Sequence, residues 1–350
     1  MIRALPEREE LADGKKHRFE PLERIDPRRI STFSDLTDEM AKTALAARHL
    51  GRGVEILKTM ISDPDCKVIG TFSGPMTIAK QDLVMAGMIA DGWFDAIVTT
   101  GAIIVHTIVQ ELGQLHFRYD PSWHDSDLYK AGYNRVYDSI ELERSLDEVE
   151  VLLRRVLDKY NPRDTLCSSE ICRMIGEELI DLGSERGILQ EAFRKNIPVF
   201  IPAFTDSELG LSFAMYNLRM GRDRRIPFDP FIDLDRYTEI ASEARHLGIF
   251  TVGGGVPRNW AQQIGPYVDS MIRRKVPGAD KVVMFKYGVR ICPEPVHWGG
   301  LSGCTYSEGV SWGKFIPESE GGMYAEILCD ATAVLPLVYL AVSEKIKKAG

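Results

Sequence analysis

The sequence lacks the cysteine pattern of a metal centre or a redox motif. Six cysteines occur among its 350 residues, and none of them forms a Cys-x-x-Cys pair. Such pairs mark zinc-binding modules and dithiol redox sites, so we expect neither a metal ion nor a disulfide framework. Scattered cysteines are usually buried thiols of a reducing cytoplasm. A chain of this length also buries enough apolar surface to fold without cross-links.

The sequence also lacks a long hydrophobic segment. Its longest strongly apolar run, from Ala331 to Val342, is too short to span a bilayer and contains Pro336. The first ten residues are charged and have no apolar segment of the kind found in signal peptides. We therefore expect a soluble, cytoplasmic protein with no membrane partner.

An excess of positive charge is absent as well. The chain has 43 basic and 51 acidic residues and a formal net charge of −8. Proteins that bind nucleic acids carry a basic patch or stripe, so we expect no nucleic-acid partner. A net acidic surface mildly attracts cationic ligands such as polyamines.

What the sequence does contain is a repeated alternation of short apolar runs and amphipathic segments. This alternation predicts an α/β fold in one large domain, with a doubly wound, mostly parallel sheet and helices on both faces. Apolar runs that predict strands cover 68–73, 96–100, 197–203, 230–234, 249–255 and 282–285. Helical periodicity covers 34–61, 78–91, 149–157 and 331–348, and a further helix is expected up to 247.

Two segments fall outside this alternation. Residues 1–33 are polar and rich in arginine, glutamate and proline, which predicts an N-terminal arm before a main domain over 34–350. Residues 116–139 are polar and aromatic. They predict an excursion from the fold that covers the site or packs on another subunit.

Lys314 is the candidate for covalent catalysis. It follows Trp312 and Gly313 and lies six residues after Glu308. Burial disfavours an ammonium, and a partly dehydrated amine of lowered pKa is the usual nucleophile in imine formation. The alternative from these residues alone is an exposed lysine after a turn, with Glu308 as a solvated loop carboxylate.

Three glycines, Gly253, Gly254 and Gly255, follow a predicted strand. Glycines at such a place let the backbone approach a phosphate or a ring and turn N–H groups toward it, although a simple turn has the same pattern. Asp206 also follows a predicted strand, where it can contact a ligand or cap the helix that begins near Glu208. The Gly-x-Gly-x-x-Gly fingerprint is absent, so an ordinary dehydrogenase site is not indicated.

Four segments resemble, in the same order, the motifs of the deoxyhypusine synthase family. They are Asp95-Ala-Ile-Val-Thr-Thr-Gly101, Pro202-Ala-Phe-Thr-Asp206, Val252-Gly-Gly-Gly-Val-Pro257 and Glu308-Gly-Val-Ser-Trp-Gly-Lys314. The resemblance extends from about Asp38 to Leu337. It implies a Rossmann-like, NAD-binding fold and a homotetramer built as a pair of dimers.

The resemblance also implies roles for individual residues. Lys314 would form the covalent intermediate with Trp312 beside it, and Glu308 matches an acidic position that holds an amine group of the substrate. Positions that match contacts of the cofactor NAD are Ser73, Thr100, Asp206, Gly253, Gly254, Gly255, Asp330 and Ala331.

The chain departs from the family pattern at several positions. Arg258 and Asn259 replace a Lys-His pair, so the histidine that serves as a base in the family is missing. We expect Asn259 to contact the substrate instead. His297 is a second candidate for a substrate contact, because it is the histidine nearest to the Lys314 segment in sequence. Other positions that are acidic in the family are Leu211, Leu301 and His106 in this chain.

The implied chemistry begins with hydride transfer to NAD from the carbon beside a polyamine nitrogen. Lys314 attacks the resulting imine, an amine leaves, an acceptor amine takes the aminobutyl-type group, and the retained hydride reduces the new imine. We expect an aminoalkyl transferase with a small amine as acceptor, because a pocket that has lost carboxylates compensates a dicationic substrate poorly. The alternatives are modification of a lysine on a translation factor, and an NAD-binding regulatory protein without activity.

Overall fold

The computed structural model describes residues 14–15, 17–161, 163–300 and 303–349. Leu301 and residues 1–13 of the predicted arm lie outside these ranges. Within the described ranges, no helix is both long enough and apolar enough to cross a membrane.

The described residues form nine strands in two sheets. The strands are β1 Cys66–Phe72, β2 Ala96–Thr99, β3 Phe117–Arg118, β4 Tyr133–Val136, β5 Ser139–Leu142, β6 Val199–Phe200, β7 His246–Val252, β8 Phe285–Ile291 and β9 Met323–Ile327. The larger sheet has the order β6-β2-β1-β7-β8-β9. Every neighbouring pair in it is parallel, as the sequence predicts.

The parallel sheet is doubly wound from β1. The chain adds β2 and β6 on one side of β1 and then β7, β8 and β9 on the other side. The order of the strands therefore reverses between β1 and β7. In open α/β sheets, the carboxyl ends of the strands at such a switch point form the ligand-binding crevice.

Helices cover both faces of the parallel sheet, which confirms the predicted architecture. The helices are α1 Phe33–Ala41, α2 Leu45–Ser62, α3 Asp82–Ala90, α4 Gly101–Glu111, α5 Asp125–Ala131, α6 Glu143–Asp158, α7 Ser168–Asp181, α8 Ile188–Arg194, α9 Glu208–Met220, α10 Phe231–Glu243, α11 Gly255–Gln262, α12 Ile264–Arg274, α13 Tyr306–Ser311 and α14 Ala331–Ala349.

The hydrophobic core has two parts, one on each face of the sheet. Val68 and Phe250 pack into one cluster, and their chain neighbours Ile69 and Ile249 pack into the other. All four side chains are almost fully buried. Successive residues of a strand point to opposite faces, so strands that are apolar throughout belong inside a sheet covered on both sides.

The predicted helix over 34–61 is in fact two helices, α1 and α2. Thr32 and Asp35 form a capping box at the start of α1, and the chain reverses after Lys42. The helices pack closely at Gly51, where a Cβ atom would lie 2.5 Å from the backbone nitrogen of Ala41. The apolar periodicity continues across this break, which is why the sequence indicated one helix.

The predicted strand over 230–234 is wrong, because this segment is the start of α10. The buried carboxylate of Asp233 accepts hydrogen bonds from the backbone N–H and hydroxyl groups of Ser168, at 2.9 and 2.7 Å. It also accepts one from the N–H of Ser169 at 3.1 Å. Asp233 thereby caps α7, and this long-range contact fixes the segment as a helix.

The predicted excursion forms a small antiparallel sheet with the order β3-β5-β4. It begins after α4 and ends where α6 starts, and the short helix α5 lies within it. Arg135 in β4 forms an ion pair with Asp125 of α5 at 2.6 Å. The excursion is therefore an ordered subdomain, and its predicted contact with another subunit stays a prediction.

Candidate active site

Three strands of the parallel sheet end level with one another at the switch point. Phe72, the last residue of β1, pairs with Thr99 of β2 and with Val252 of β7. The residues that follow these strands are Ser73, Thr100 and Gly253. The register therefore brings three of the predicted cofactor residues to one place.

A cavity of about 320 Å³ lies at this place. Six of the eight residues predicted to contact the cofactor line it, namely Ser73, Thr100, Asp206, Gly253, Gly254 and Gly255. Its volume falls at the lower end of the range of pockets that bind small molecules and cofactors.

The N-termini of three helices meet at this cavity. Thr100 caps α4 and Ser207 caps α9, each through its side chain, whereas Gly254 precedes α11 with no side-chain cap. Pro257 has no N–H, so the first turn of α11 offers the N–H groups of Gly255 and Val256 to a ligand. Helix N-termini carry partial positive charge, so their convergence favours an anion such as a pyrophosphate.

The glycine run is required by close packing as well as by backbone conformation. Gly253 has a φ of 77°, and a Cβ atom there would lie 2.4 Å from Oγ of Ser73. The N–H of Gly254 donates to the same oxygen at 2.8 Å. Gly255 has a φ of 61°, and a Cβ atom there would meet open space. A side chain at Gly255 would therefore be both strained and unsupported by packing.

Asp206 is not the cap of α9. Oγ of Ser207 accepts from the N–H of Gly210 and takes that role, so the exposed carboxylate of Asp206 is left to face the cavity. Asp330 and Ala331 do not line this cavity. They follow β9, on the far side of β8, where Asp330 accepts a hydrogen bond from the N–H of Thr332 at 2.8 Å.

The backbone of Lys314 is fixed from both sides. Its N–H donates to the carbonyl of Gly309 in α13 at 3.0 Å, and its carbonyl accepts from the N–H of Phe285 in β8 at 2.9 Å. Gly265 of α12 packs against this segment, because a Cβ atom there would lie 2.6 Å from the carbonyl oxygen of Gly313. The parallel sheet and α12 thereby determine where the side chain of Lys314 begins.

The side chain of Lys314 is buried, with only 7% of its surface exposed. Its Nζ atom lies 3.5 Å from Oδ1 of Asn259 in α11. Burial lowers the pKa of Lys314, and the positive charge of Arg258 lowers it further, while Cys304 and Glu308 oppose the shift. The structure thus gives Lys314 the buried surroundings that the sequence analysis expects, and its role in catalysis stays a prediction.

The two parts of the site are joined by α11. Gly255, Val256 and Pro257 line the cavity, and Asn259 contacts Lys314 within the same short helix. The helix α11 thus has its first residues at the cavity and Asn259 at the amine of Lys314.

The other predicted site residues near the lysine are exposed. Trp312 is 63% exposed, and Glu308 lies in the first turn of α13, where its carboxylate influences the pKa of Lys314. His297 lies on an exposed 3₁₀ turn, Val296–Trp298. Oδ1 of Asn259, and not His297, is the side-chain hydrogen-bond partner of Lys314 among the described residues.

Two contacts near Lys314 were not anticipated from the sequence. Nη2 of Arg258 donates to the carbonyl of Cys304 at 2.9 Å, and its guanidinium lies 5.8 Å from the centre of the Tyr306 ring. Arg258 is 4% exposed. These contacts hold a permanent positive charge beside the lysine, and the large separation of the residues in the chain left no sequence signal for them.

Comparison with known proteins gives one consistent family. Residues 35–342 match the family model for deoxyhypusine synthase. The chain is 32% identical over 318 residues to "Probable deoxyhypusine synthase 2" of Methanosarcina mazei, which covers 90% of this chain and 88% of that protein. It is 31% identical over 305 residues to "Deoxyhypusine synthase-like protein" of Chlorobaculum parvum, which covers 87% of this chain and 84% of that protein.

A solved structure, that of a "putative deoxyhypusine synthase" from Entamoeba histolytica, has the same fold. It superposes with a TM-score of 0.56 at 15% identity, over 91% of this chain and 95% of that one.

The lowered pKa of Lys314 predicts a pH-dependent cost to stability. Below the folded-state pKa, the buried ammonium destabilises the native protein, and this cost disappears as the pH rises toward the ordinary value of 10.5. Lys314→Met should therefore raise the melting temperature at pH 7 by about 1–3 °C, and the gain should shrink with rising pH. Calorimetric melts from pH 6 to 10 measure this.

The matched control is Lys281→Met, which changes an exposed lysine. Its effect on the melting temperature should be small and similar at every pH. A gain for Lys314→Met that does not change with pH would show that the amine of Lys314 is not held in a dehydrated environment.

Proposed function

We propose that this protein is an NAD-dependent aminoalkyl transferase. The chain belongs to the deoxyhypusine synthase family and is a transferase of alkyl groups other than methyl. The donor is a polyamine or a related amine, the transferred group is of the aminobutyl type, and the acceptor is a small amine. The observation that carries the proposal is the buried amine of Lys314, which α11 connects to the glycine-lined cavity.

The residues around the cavity suit NAD. The N-termini of α4, α9 and α11 provide positive potential and N–H groups for a pyrophosphate, and Asp206 can accept hydrogen bonds from ribose hydroxyls. When bound, NAD would accept a hydride from the carbon beside a substrate nitrogen and return it at the end of the transfer. Asp330 and Ala331 are proposed contacts for the part of the dinucleotide that lies outside the cavity.

Lys314 acts as the nucleophile in this proposal. Its amine is held in a poorly hydrated place, which favours the neutral form that can attack an imine carbon. The amine of Lys314 adds to the imine carbon, a proton passes to the nitrogen of the original amine, and that amine leaves as the imine with Lys314 forms. The acceptor amine then releases Lys314 by the same addition and elimination. Glu308, Asn259 and His297 are the proposed contacts for the cationic groups of the substrate.

The altered pocket favours a small amine over a protein lysine as acceptor. Leu211, which stands at a position that is acidic in the family, is 51% exposed on α9 and offers no charge to an ammonium. His106, at another position that is acidic in the family, forms a hydrogen bond with Glu141. Retention of a buried Lys314 supports an active transferase over a protein that has lost its activity.

We further propose that the protein is a cytoplasmic homotetramer. Leu211, Met215 and Leu218 are 51%, 41% and 68% exposed and lie four and three residues apart on α9. They form an apolar stripe along α9, whose N-terminus lies beside the cavity. A second copy of the chain would cover this stripe and enclose the cavity.

Lys314→Ala and Lys314→Arg should both abolish covalent capture of the substrate. Alanine removes the amine, and the guanidinium of arginine stays protonated and cannot form the imine. Borohydride trapping in the presence of a labelled polyamine and NAD, followed by peptide mapping, measures the adduct. Lys286→Arg is the control, since Lys286 is a half-buried lysine of β8 outside the site, and it should keep the adduct. Label on any lysine other than Lys314 would remove Lys314 from the mechanism.

NAD should raise the melting temperature of the protein, and Gly255→Val should remove this shift. Valine would place branched carbons at the mouth of the cavity, at a backbone position with a φ of 61°. Millimolar NAD should stabilise the unaltered protein by about 3 °C or more through mass action.

The control for this experiment is Gly92→Val. Gly92 also has a positive φ, of 75°, and open space around it, but it lies in a turn after α3. Both variants carry backbone strain, so both should melt at a lower temperature, and Gly92→Val alone should keep the response to NAD. An equal response in both variants would contradict the proposed cofactor site.

Spermidine should be a poor donor until charge is restored to the pocket. A lost contact to a cation removes roughly 1.5–3 kcal/mol, or about ten- to a hundredfold in rate. Leu211→Asp with Asn259→His should therefore release 1,3-diaminopropane from spermidine at least about tenfold faster than the unaltered protein. Leu182→Asp, which places a carboxylate at an exposed leucine just after α7 and outside the α9 stripe, is the control and should give no gain. A gain from Leu182→Asp of the same size would show that general surface charge is the cause.

A further inference from the structure

Two histidines and one glutamate converge where α4 meets the small sheet, and none of them lines the cofactor cavity. His106 lies in α4, His116 follows it, and Glu141 belongs to β5 of the small sheet. Oε1 of Glu141 lies 2.8 Å from Nδ1 of His106 and 3.1 Å from Nε2 of His116. All three atoms lie within 4.8 Å of one another.

The cluster is largely buried. The side chains of Glu141 and His116 are each 3% exposed, and that of His106 is 21% exposed. A buried carboxylate with two imidazole nitrogens on one oxygen is a set of donor atoms that divalent transition metals bind.

We propose that His106 Nδ1, His116 Nε2 and Glu141 Oε1 form a binding site for Zn²⁺. Zinc–ligand distances of about 2.0–2.1 Å in a tetrahedron separate the ligand atoms by roughly 3.3 Å. The two separations from Glu141 Oε1, 2.8 and 3.1 Å, lie within a few tenths of an ångström of this value, and the two histidine nitrogens lie within 4.8 Å of each other. A water molecule supplies the fourth ligand, and the partly exposed ring of His106 gives the ion a path from solvent.

The surroundings of His116 can support the required tautomer. A ring that binds zinc through Nε2 carries its proton on Nδ1 and needs an acceptor there. The side-chain amide of Gln110 lies next to this nitrogen, and its oxygen accepts from the amine of Lys80 at 2.6 Å. Rotation of the amide would turn that oxygen toward Nδ1. The amine of Lys80, which lies 2.9 Å from the same nitrogen, would then turn away from the protonated ring.

The site joins two parts of the fold. Bound zinc would fasten β5 to α4, the helix whose N-terminus opens at the cofactor cavity. It would therefore stabilise the small sheet and fix the position of Thr100 at the cavity. The sequence predicted no metal site, because the three ligands are separated by 10 and 25 residues and match no spacing motif.

The test is a zinc titration of full-length protein that carries no histidine tag and has been stripped with a chelator. Calorimetry should show one Zn²⁺ per chain and a rise in melting temperature, while Mg²⁺, which prefers oxygen ligands, should show neither. His106→Gln and Glu141→Gln should each weaken zinc binding by about a hundredfold or more. Co²⁺ in place of zinc should give the visible absorption of a tetrahedral site, and His106→Gln should abolish it.

The control is His124→Asn, which removes an exposed histidine near the start of α5 and should leave binding unchanged. His106→Gln is the deciding variant, since His106 is the least buried of the three ligands, and circular dichroism verifies that the variant is folded. Absence of zinc binding by the unaltered protein overturns the proposal. Equal binding by folded His106→Gln overturns it as well, because the zinc would then be held elsewhere.

Discussion

The level ends of β2, β1 and β7 are the constraint on which the rest of the site depends. Because Phe72 pairs with Thr99 and Val252, the loops that follow all three strands begin at the same height. A shift of any strand by one residue would turn its alternating side chains to the opposite face and separate the loops. The two clusters of the core fix this register. Burial of apolar side chains therefore determines where the N–H groups of the loops after these strands lie.

The position of the buried Lys314 also depends on the parallel sheet, through the neighbouring strand β8. The Lys314 segment is hydrogen-bonded to β8, and the neighbouring Phe315 is fully buried against Tyr306 and Tyr324. Packing of this kind does not relax to admit water, so the amine stays poorly hydrated even when its charge is unfavourable. The protein thus retains a destabilised group at the place where we propose a nucleophile, and functional sites commonly keep such groups.

The sequence predicted those parts of the fold that local patterns specify. β1, β2 and β7 are apolar runs that end at small residues, and α14 has a clear helical period. β9 was missed because its Glu326, which pairs with Arg290 of β8 at 3.2 Å, interrupts the apolar pattern. The segment at Asp233 was misassigned because its helical state depends on α7, 65 residues away in the chain. The charge of Arg258 beside Lys314 and the cluster around Glu141 likewise arise only from tertiary packing.

The replacement of a Lys-His pair by Arg258 and Asn259 changes how Lys314 can lose its proton. The amide oxygen of Asn259 can accept a hydrogen bond from the ammonium, but it cannot remove the proton at any ordinary pH. The guanidinium of Arg258 is also charged at any ordinary pH, and its positive charge repels the ammonium of Lys314. Burial and the positive charge of Arg258 both lower the pKa of Lys314. In the proposed mechanism they favour loss of its proton to solvent or to a substrate amine, where a histidine base would otherwise accept it.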